Sequence, residues 1–123
     1  MPKYIQSYIH NNGQIGVLLE LQFRGCGTQN TDEFKRLALD IAMQIAATNP
    51  RVITPEDINE VVPLMNNGDT RDNEQWRTEY CLLTQPFVKA PDQTVEVYLK
   101  KVAEELGESI QLLRFVRYDT NET

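Results

Sequence analysis

The sequence predicts an α+β fold: a small antiparallel β-sheet of about three strands with helices packed on one face. Three observations lead there. Phe34, Leu37, Ala38, Ile41, Ala42, Ile45 and Ala46 recur at the three- and four-residue spacing that stacks side chains along one helical face. Two alternating runs, Tyr4 to His10 and Ile15 to Phe23, flank the turn residues Asn11-Asn12-Gly13. A last run, Ile110 to Tyr118, follows a second capped helix and is apolar on both faces.

The helix from Thr31 to Pro50 is marked at both ends. Asn30 or Thr31 can cap its first amides, Asp32 and Glu33 suit the positive end of its dipole, and Asn49-Pro50 stops its last turn. Burying Phe34, Leu37, Ile41 and Ile45 is worth about 1.5 to 3 kcal/mol each. Ordering each backbone residue costs about 1 to 2 kcal/mol. The helix therefore needs a sheet to lie on, and the neighbouring hairpin is the candidate. In that hairpin Ile15, Val17, Leu19, Leu21 and Phe23 line one side, and Leu18 adds an apolar side chain to the other.

Arg24-Gly25-Cys26-Gly27-Thr28-Gln29 reads as a plain strand-to-helix link. Its glycines fit neither a dinucleotide fingerprint nor a P-loop, and Asp32 and Glu33 would repel an anion there. Thr54-Pro55-Glu56-Asp57 starts a short helix that Pro63 closes, and the polar stretch Asn66 to Asn73 reads as an exposed loop. Trp76 to Val88 begins helical and ends extended, with Leu82, Leu83, Phe87 and Val88 as core contacts, Trp76 as a core or interface anchor and Pro86 holding Gln85 out of the helical region. Thr94 caps a second long helix through Glu105, with Gly107 as its stop. One face of the final strand can meet the helices. The other, carrying Leu113 and Phe115, calls for a second cover, and in a domain this small that cover is another subunit, a homodimer.

The chain of 123 residues has the length of one domain. Its net charge of -6 opposes general nucleic-acid binding, which needs a positive patch to displace phosphate counterions. No apolar run approaches the roughly 18 residues of a membrane span, and the start lacks a signal-peptide core, so a cytoplasmic protein is expected. Cys26 and Cys81 are expected as thiols, with a strand-to-strand disulfide or a redox role as the alternatives. The single His sits at the hairpin tip, so two-histidine metal motifs cannot be built. Glu104 with Glu105 and Glu56 with Asp57 are explained as helix-end and solvent-face charges. No cofactor, metal site or catalytic constellation is expected, and a docking surface is preferred over an enzyme.

Several segments together resemble the core, or dimerisation, domain of elongation factor Ts, the guanine-nucleotide exchange factor of elongation factor Tu. They are Tyr8-Ile9-His10 before a glycine turn, Ile15 to Glu20, Asp40 to Ala47 through Asn49-Pro50, Thr54 to Asp57, Cys81 to Lys89, Thr94-Val95 and Arg114 to Tyr118, in the family's order. The resemblance implies a partner, elongation factor Tu, and an allosteric role: preference for nucleotide-free Tu would speed nucleotide release. The alternative is an interaction protein that occupies Tu, or only itself, without exchange.

Three departures bear on that choice. The family's N-terminal ubiquitin-associated-like domain has no counterpart before the first strand. The family's Thr-Asp-Phe-Val motif, whose Asp and Phe push into Tu near its magnesium site, aligns with Gly25-Cys26-Gly27-Thr28, which offers neither acid nor aromatic. Thr31-Asp32-Glu33-Phe34 repeats the motif in letters, yet periodicity assigns Phe34 to the buried helix face. The long helical protrusion of many members is reduced to the loop around Asn66 to Asn73. In members with two core subdomains, the second also lacks the wedge motif and uses a His at the corresponding hairpin against the third domain of Tu. By that resemblance His10, Asn11, Asn12 and Gly13 are the candidate contact residues. Read from its surroundings alone, His10 is an exposed polar loop residue.

Overall fold

The computed structural model describes residues 1–10, 12–25, 27–57 and 78–121. Strands β1 (Lys3–His10) and β2 (Ile15–Gln22) form the expected hairpin, with Tyr8 opposite Val17 and Gln6 opposite Leu19. Strand β5 (Gln111–Asp119) pairs antiparallel with the other side of β2, giving the order β1-β2-β5. Helix α1 (Asp32–Thr48) lies over β1 and β2. A second helix, α2 (Val95–Leu106), packs against α1.

The caps are those the sequence marks. Thr31 Oγ1 accepts from the Phe34 N–H at 3.2 Å, and Asn49 ends α1 in the left-handed conformation with φ 52°. Thr94 Oγ1 accepts from the Val97 N–H at 3.2 Å, and Gly107 ends α2 with φ 62°. Between sheet and helices lies the core: Val17, Leu19, Leu21 and Phe23 face Phe34, Leu37, Ala38, Ile41 and Ile45, all buried. Phe34 meets Tyr4 and Phe23 edge-to-face, at 5.3 and 5.1 Å between ring centroids, a geometry that suits the aromatic quadrupole. Hence β1 turns Tyr4 and Tyr8 toward α1 and leaves Ile5 and Ile9 exposed on the far side.

Four features differ from or add to the sequence reading. Pro86–Phe87 (β3) and Ala90–Thr94 (β4) form a small second sheet that periodicity does not reveal, because its strands are too short to alternate. Pro55–Asp57 is a single 3-10 turn; the helix expected onward to Pro63, the loop at Asn66 to Asn73, and Trp76 lie outside the described residues. Residues 78–80 are helical and lead through a 3-10 turn at Leu82–Thr84 into β3, the helix-to-extended change expected there.

The fourth is a bulge in β5. Arg114 pairs with Glu20 and Leu112 with Leu21, so Leu113 is an additional residue and the alternation inverts across it. Phe115, expected on the uncovered face, instead stands opposite buried Leu19 and packs against the core. Val116 and Tyr118 take the outer positions, and Leu113 is half-buried at the bulge.

Candidate functional site

The hairpin tip, the middle of α1 and the turn after β3 meet along one groove of about 210 Å³, lined by Tyr8, His10, Asp40, Met43, Ala46, Ala47, Val88 and Lys89. His10 is exposed at its rim, its Nδ1 2.8 Å from the Tyr8 hydroxyl and its ring tilted against that of Tyr8. Beyond it Asn12 and Gly13 hold φ of 55° and 92°, the positive values that only Asn and Gly adopt at low cost. The Gln14 N–H closes the turn onto the His10 carbonyl at 3.0 Å. Of the four hairpin candidates, His10, Asn12 and Gly13 thus sit at one tip. Asn11 lies outside the described residues.

The floor of the groove is held by buried polar contacts. Asp40, nearly inaccessible, accepts from Lys89 Nζ through Oδ1 and from the Tyr98 hydroxyl through Oδ2, the latter at 2.6 Å. Burial first, and then the bond to Asp40, raise the Tyr98 hydroxyl well above its ordinary pKa. Tyr98 also stacks on Phe87, with centroids 4.3 Å apart. One turn further, the buried Gln44 amide donates to Gln85 Oε1 and to the Pro86 carbonyl, both at 3.1 Å, and its oxygen accepts from the Val88 N–H at 3.0 Å. Thr48 Oγ1 lies 2.8 Å from Gln85 Oε1, and the Gln85 amide donates to the Glu79 carbonyl at 2.9 Å. These bonds bind Cys81 to Lys89 to α1 and fix where Val88 and Lys89 emerge. Cys81 itself is a buried thiol beside the Val52 bridge, and Cys26 lies outside the described residues.

The sequence alone does not mark Asp40, Met43, Val88 or Lys89 as surface-forming. A signal was present in the helix: Asp40, Met43 and Ala47 stand three and four residues apart, a stripe beside the core stripe. Lys89 carries none, because its position depends on the buried glutamines; Val88, expected as a core contact, is instead about half exposed, held there by the Gln44 oxygen on its N–H.

Two further features border the sheet. The link after β2 is tied to Glu108, whose Oε1 accepts from the Gly25 N–H at 2.7 Å. The sheet's far face exposes Ile5, Ile9, Leu18, Val116 and Tyr118 around a shallow depression of about 300 Å³ and the ion pair of Arg114 with Glu20 at 3.0 Å. Gly16 has no side chain there; a Cβ would come within 3.3 Å of Ile9 Cδ1, so Ile9 lies across the strand. Among the described residues no group of three or more His, Cys, Asp or Glu could hold a metal ion, and no helix is long and apolar enough to cross a membrane.

The family model described as Elongation factor TS matches residues 1–66, more than half of the chain. The chain belongs to the elongation factor Ts family. It is 37% identical to Elongation factor Ts of Carboxydothermus hydrogenoformans over 137 aligned positions, covering 96% of this chain and 63% of that protein. It is 35% identical to Elongation factor Ts of Thermoanaerobacter sp. (strain X514), covering 96% of this chain and 67% of that protein, and 35% identical to that of Desulfosudis oleivorans, covering 96% and 69%. The chain is thus shorter than the elongation factor Ts proteins it matches, spanning about two thirds of their length. Three of the segments that carry the resemblance contribute to the groove: Tyr8 and His10 from the first, Asp40, Met43, Ala46 and Ala47 from the helix, and Val88 and Lys89 from the segment that begins at Cys81. Thr31-Asp32-Glu33-Phe34 is not an exposed wedge, since Thr31 is the cap of α1 and Phe34 is fully buried.

Proposed function

We propose that this chain binds elongation factor Tu and works as an elongation factor Ts-like partner, not as an enzyme. The observation that carries the reading is the convergence of the family-matching hairpin, helix and Cys81 to Lys89 segment on one groove with His10 at its rim. An exposed hairpin tip beside a largely apolar groove suits docking. Exchange would then follow from linkage: a partner that binds nucleotide-free Tu better than nucleotide-bound Tu must weaken nucleotide binding by the same factor.

A second reading, binding without exchange, is favoured by one observation. The positions that align with the family's Asp and Phe wedge are Cys26 and Gly27, and Gly27 holds φ 87°, which an aromatic side chain would adopt only with strain. A pull-down with purified Tu, followed by release of fluorescent GDP from Tu, separates the two. Binding with accelerated release supports exchange, binding with unchanged release leaves docking alone, and no binding removes both.

The outer sheet face supports a companion proposal, a homodimer. It would be closed by Ile5, Ile9, Leu18, Val116 and Tyr118 of two copies, in place of the Phe115 contact expected from alternation.

A further inference from the structure

The tip of the β1–β2 hairpin carries the dipeptide Asn12-Gly13. Both residues are exposed, and both hold positive φ, 55° and 92°. Beneath them the Gln14 N–H closes the turn onto the His10 carbonyl at 3.0 Å, and the Gln14 carbonyl accepts from the Thr120 N–H, just past β5, at 2.9 Å. Those bonds fix the base of the tip. Among the described residues, neither the Asn12 side chain nor the Gly13 N–H makes a hydrogen bond. Apart from the adjoining residues, no heavy atom lies within 4 Å of where a Cβ on Gly13 would stand.

An asparagine side-chain amide has one nucleophile of its own chain close at hand, the backbone nitrogen of the next residue. When that nitrogen gives its proton to water or hydroxide it can attack Cγ. A bond forms between Gly13 N and Asn12 Cγ, the Cγ–Nδ2 bond breaks, and Nδ2 leaves as ammonia with a proton from solvent. Water then opens the cyclic imide at either carbonyl, giving aspartate, or isoaspartate with its main chain rerouted through the side-chain methylene. The closure needs a free N–H, room around it and a main chain able to swing, and a glycine in open solvent supplies all of these. Other asparagines lack them. Asn30 precedes Thr31, whose N–H donates to the Thr28 carbonyl at 3.1 Å and whose branched Cβ crowds the approach. Asn49 precedes Pro50, which has no N–H to lose. A second Asn-Gly pair, Asn67-Gly68, lies outside the described residues.

We propose that Asn12 is a site of spontaneous deamidation in the folded protein, converted through a cyclic imide with Gly13 to isoaspartate and aspartate. The reaction sets a negative charge beside His10, at the rim of the groove. Aspartate tolerates the left-handed φ that Asn12 holds, whereas isoaspartate lengthens the main chain of the tip by a carbon. The inference stands on the hairpin alone and holds whether or not the chain binds Tu.

The test incubates the intact chain beside a synthetic peptide spanning Tyr8 to Val17, in which an isolated hairpin has little stability, in warm, mildly alkaline buffer. Site-resolved peptide mass spectrometry follows ammonia loss at each asparagine, and methyl transfer by an isoaspartyl methyltransferase reads isoaspartate. Asn12 in the folded chain is expected to react within about tenfold of its rate in the peptide, because an exposed tip opens at almost no cost. Asn30 and Asn49 keep their amides over the same time, and the rate at Asn12 climbs with hydroxide concentration. Asn12→Gln, which must close a larger ring, keeps its amide. Asn12→Asp, which keeps a residue tolerant of the left-handed turn, co-elutes on anion exchange with the acidic form that the intact chain gains at this site. A folded-chain rate more than about tenfold below that of the peptide overturns the proposal, since the tip is then protected by its fold. Equal ammonia loss at Asn12, Asn30 and Asn49 overturns it as well.

Discussion

Asp40 sits at the middle of α1 with almost no access to water, a location a carboxylate occupies only with donors around it. Lys89 and Tyr98 supply them, and burial first, then the bond to Asp40, raise the Tyr98 hydroxyl above its ordinary pKa. A hydroxyl raised in the folded state stabilises the fold at pH below its unfolded value, near 10, and that contribution is lost as pH rises toward the folded value. The ultraviolet tyrosinate signal should therefore contain a step above pH 10 that Tyr98→Phe removes, and stability should fall across the same alkaline range. Asp40→Ala leaves a lysine and a hydroxyl without their acceptor and should cost about 1 to 3 kcal/mol in urea unfolding. At the rim, His10→Ala loses the ring beside Tyr8 while the exposed tip stays folded. Tu affinity should drop several-fold with no shift in the unfolding midpoint, as read by titration and thermal melting. Individual buried polar partners were not legible in the sequence. Asp40 reads there as one more charge on a helix, because its two donors come from 49 and 58 residues away.

At the level of elements, α1 was legible almost to the residue, since spacing, cap and stop all act locally: Thr31, Asn49 and the stripe through Ile45 carry their own signal. The hairpin was legible for the same reason, with Asn12 and Gly13 at the tip. β5 was legible as a strand but not in its facing, because one additional residue, Leu113, reverses which side chains point inward. The β3–β4 sheet was not legible; it exists because Gln44 and Gln85 hold its first strand against α1. Two predictions belong here. Ile41→Ala, in the centre of the buried stripe, should cost about 2 to 5 kcal/mol. Gln44→Ala strands the Val88 N–H and should cost about 1 to 3 kcal/mol, with faster exchange at Val88 than in the hairpin. Equal protection of Val88 in both proteins would count against the clamp.

The whole molecule has two unlike sides. One carries the helices, the groove and the hairpin tip; the other is a bare sheet with Ile9 and Tyr118 each more than half exposed. The far side tests the dimer. Sedimentation of the intact chain should show a dimer that Val116→Glu converts to monomer, and a monomer at high concentration would exclude that cover for the face. Family membership was legible because the matching segments are spread over nearly the whole chain, and three of them contribute to the groove. The tie of Glu108 to the link after β2 was not, because Glu108 reaches it only in three dimensions.

Calorimetric titration of this chain into purified, nucleotide-free elongation factor Tu, repeated with GDP-loaded Tu, addresses the central claim most directly. Saturable one-to-one binding, tighter for the nucleotide-free form, is the predicted result. No heat and no complex with either form would contradict it.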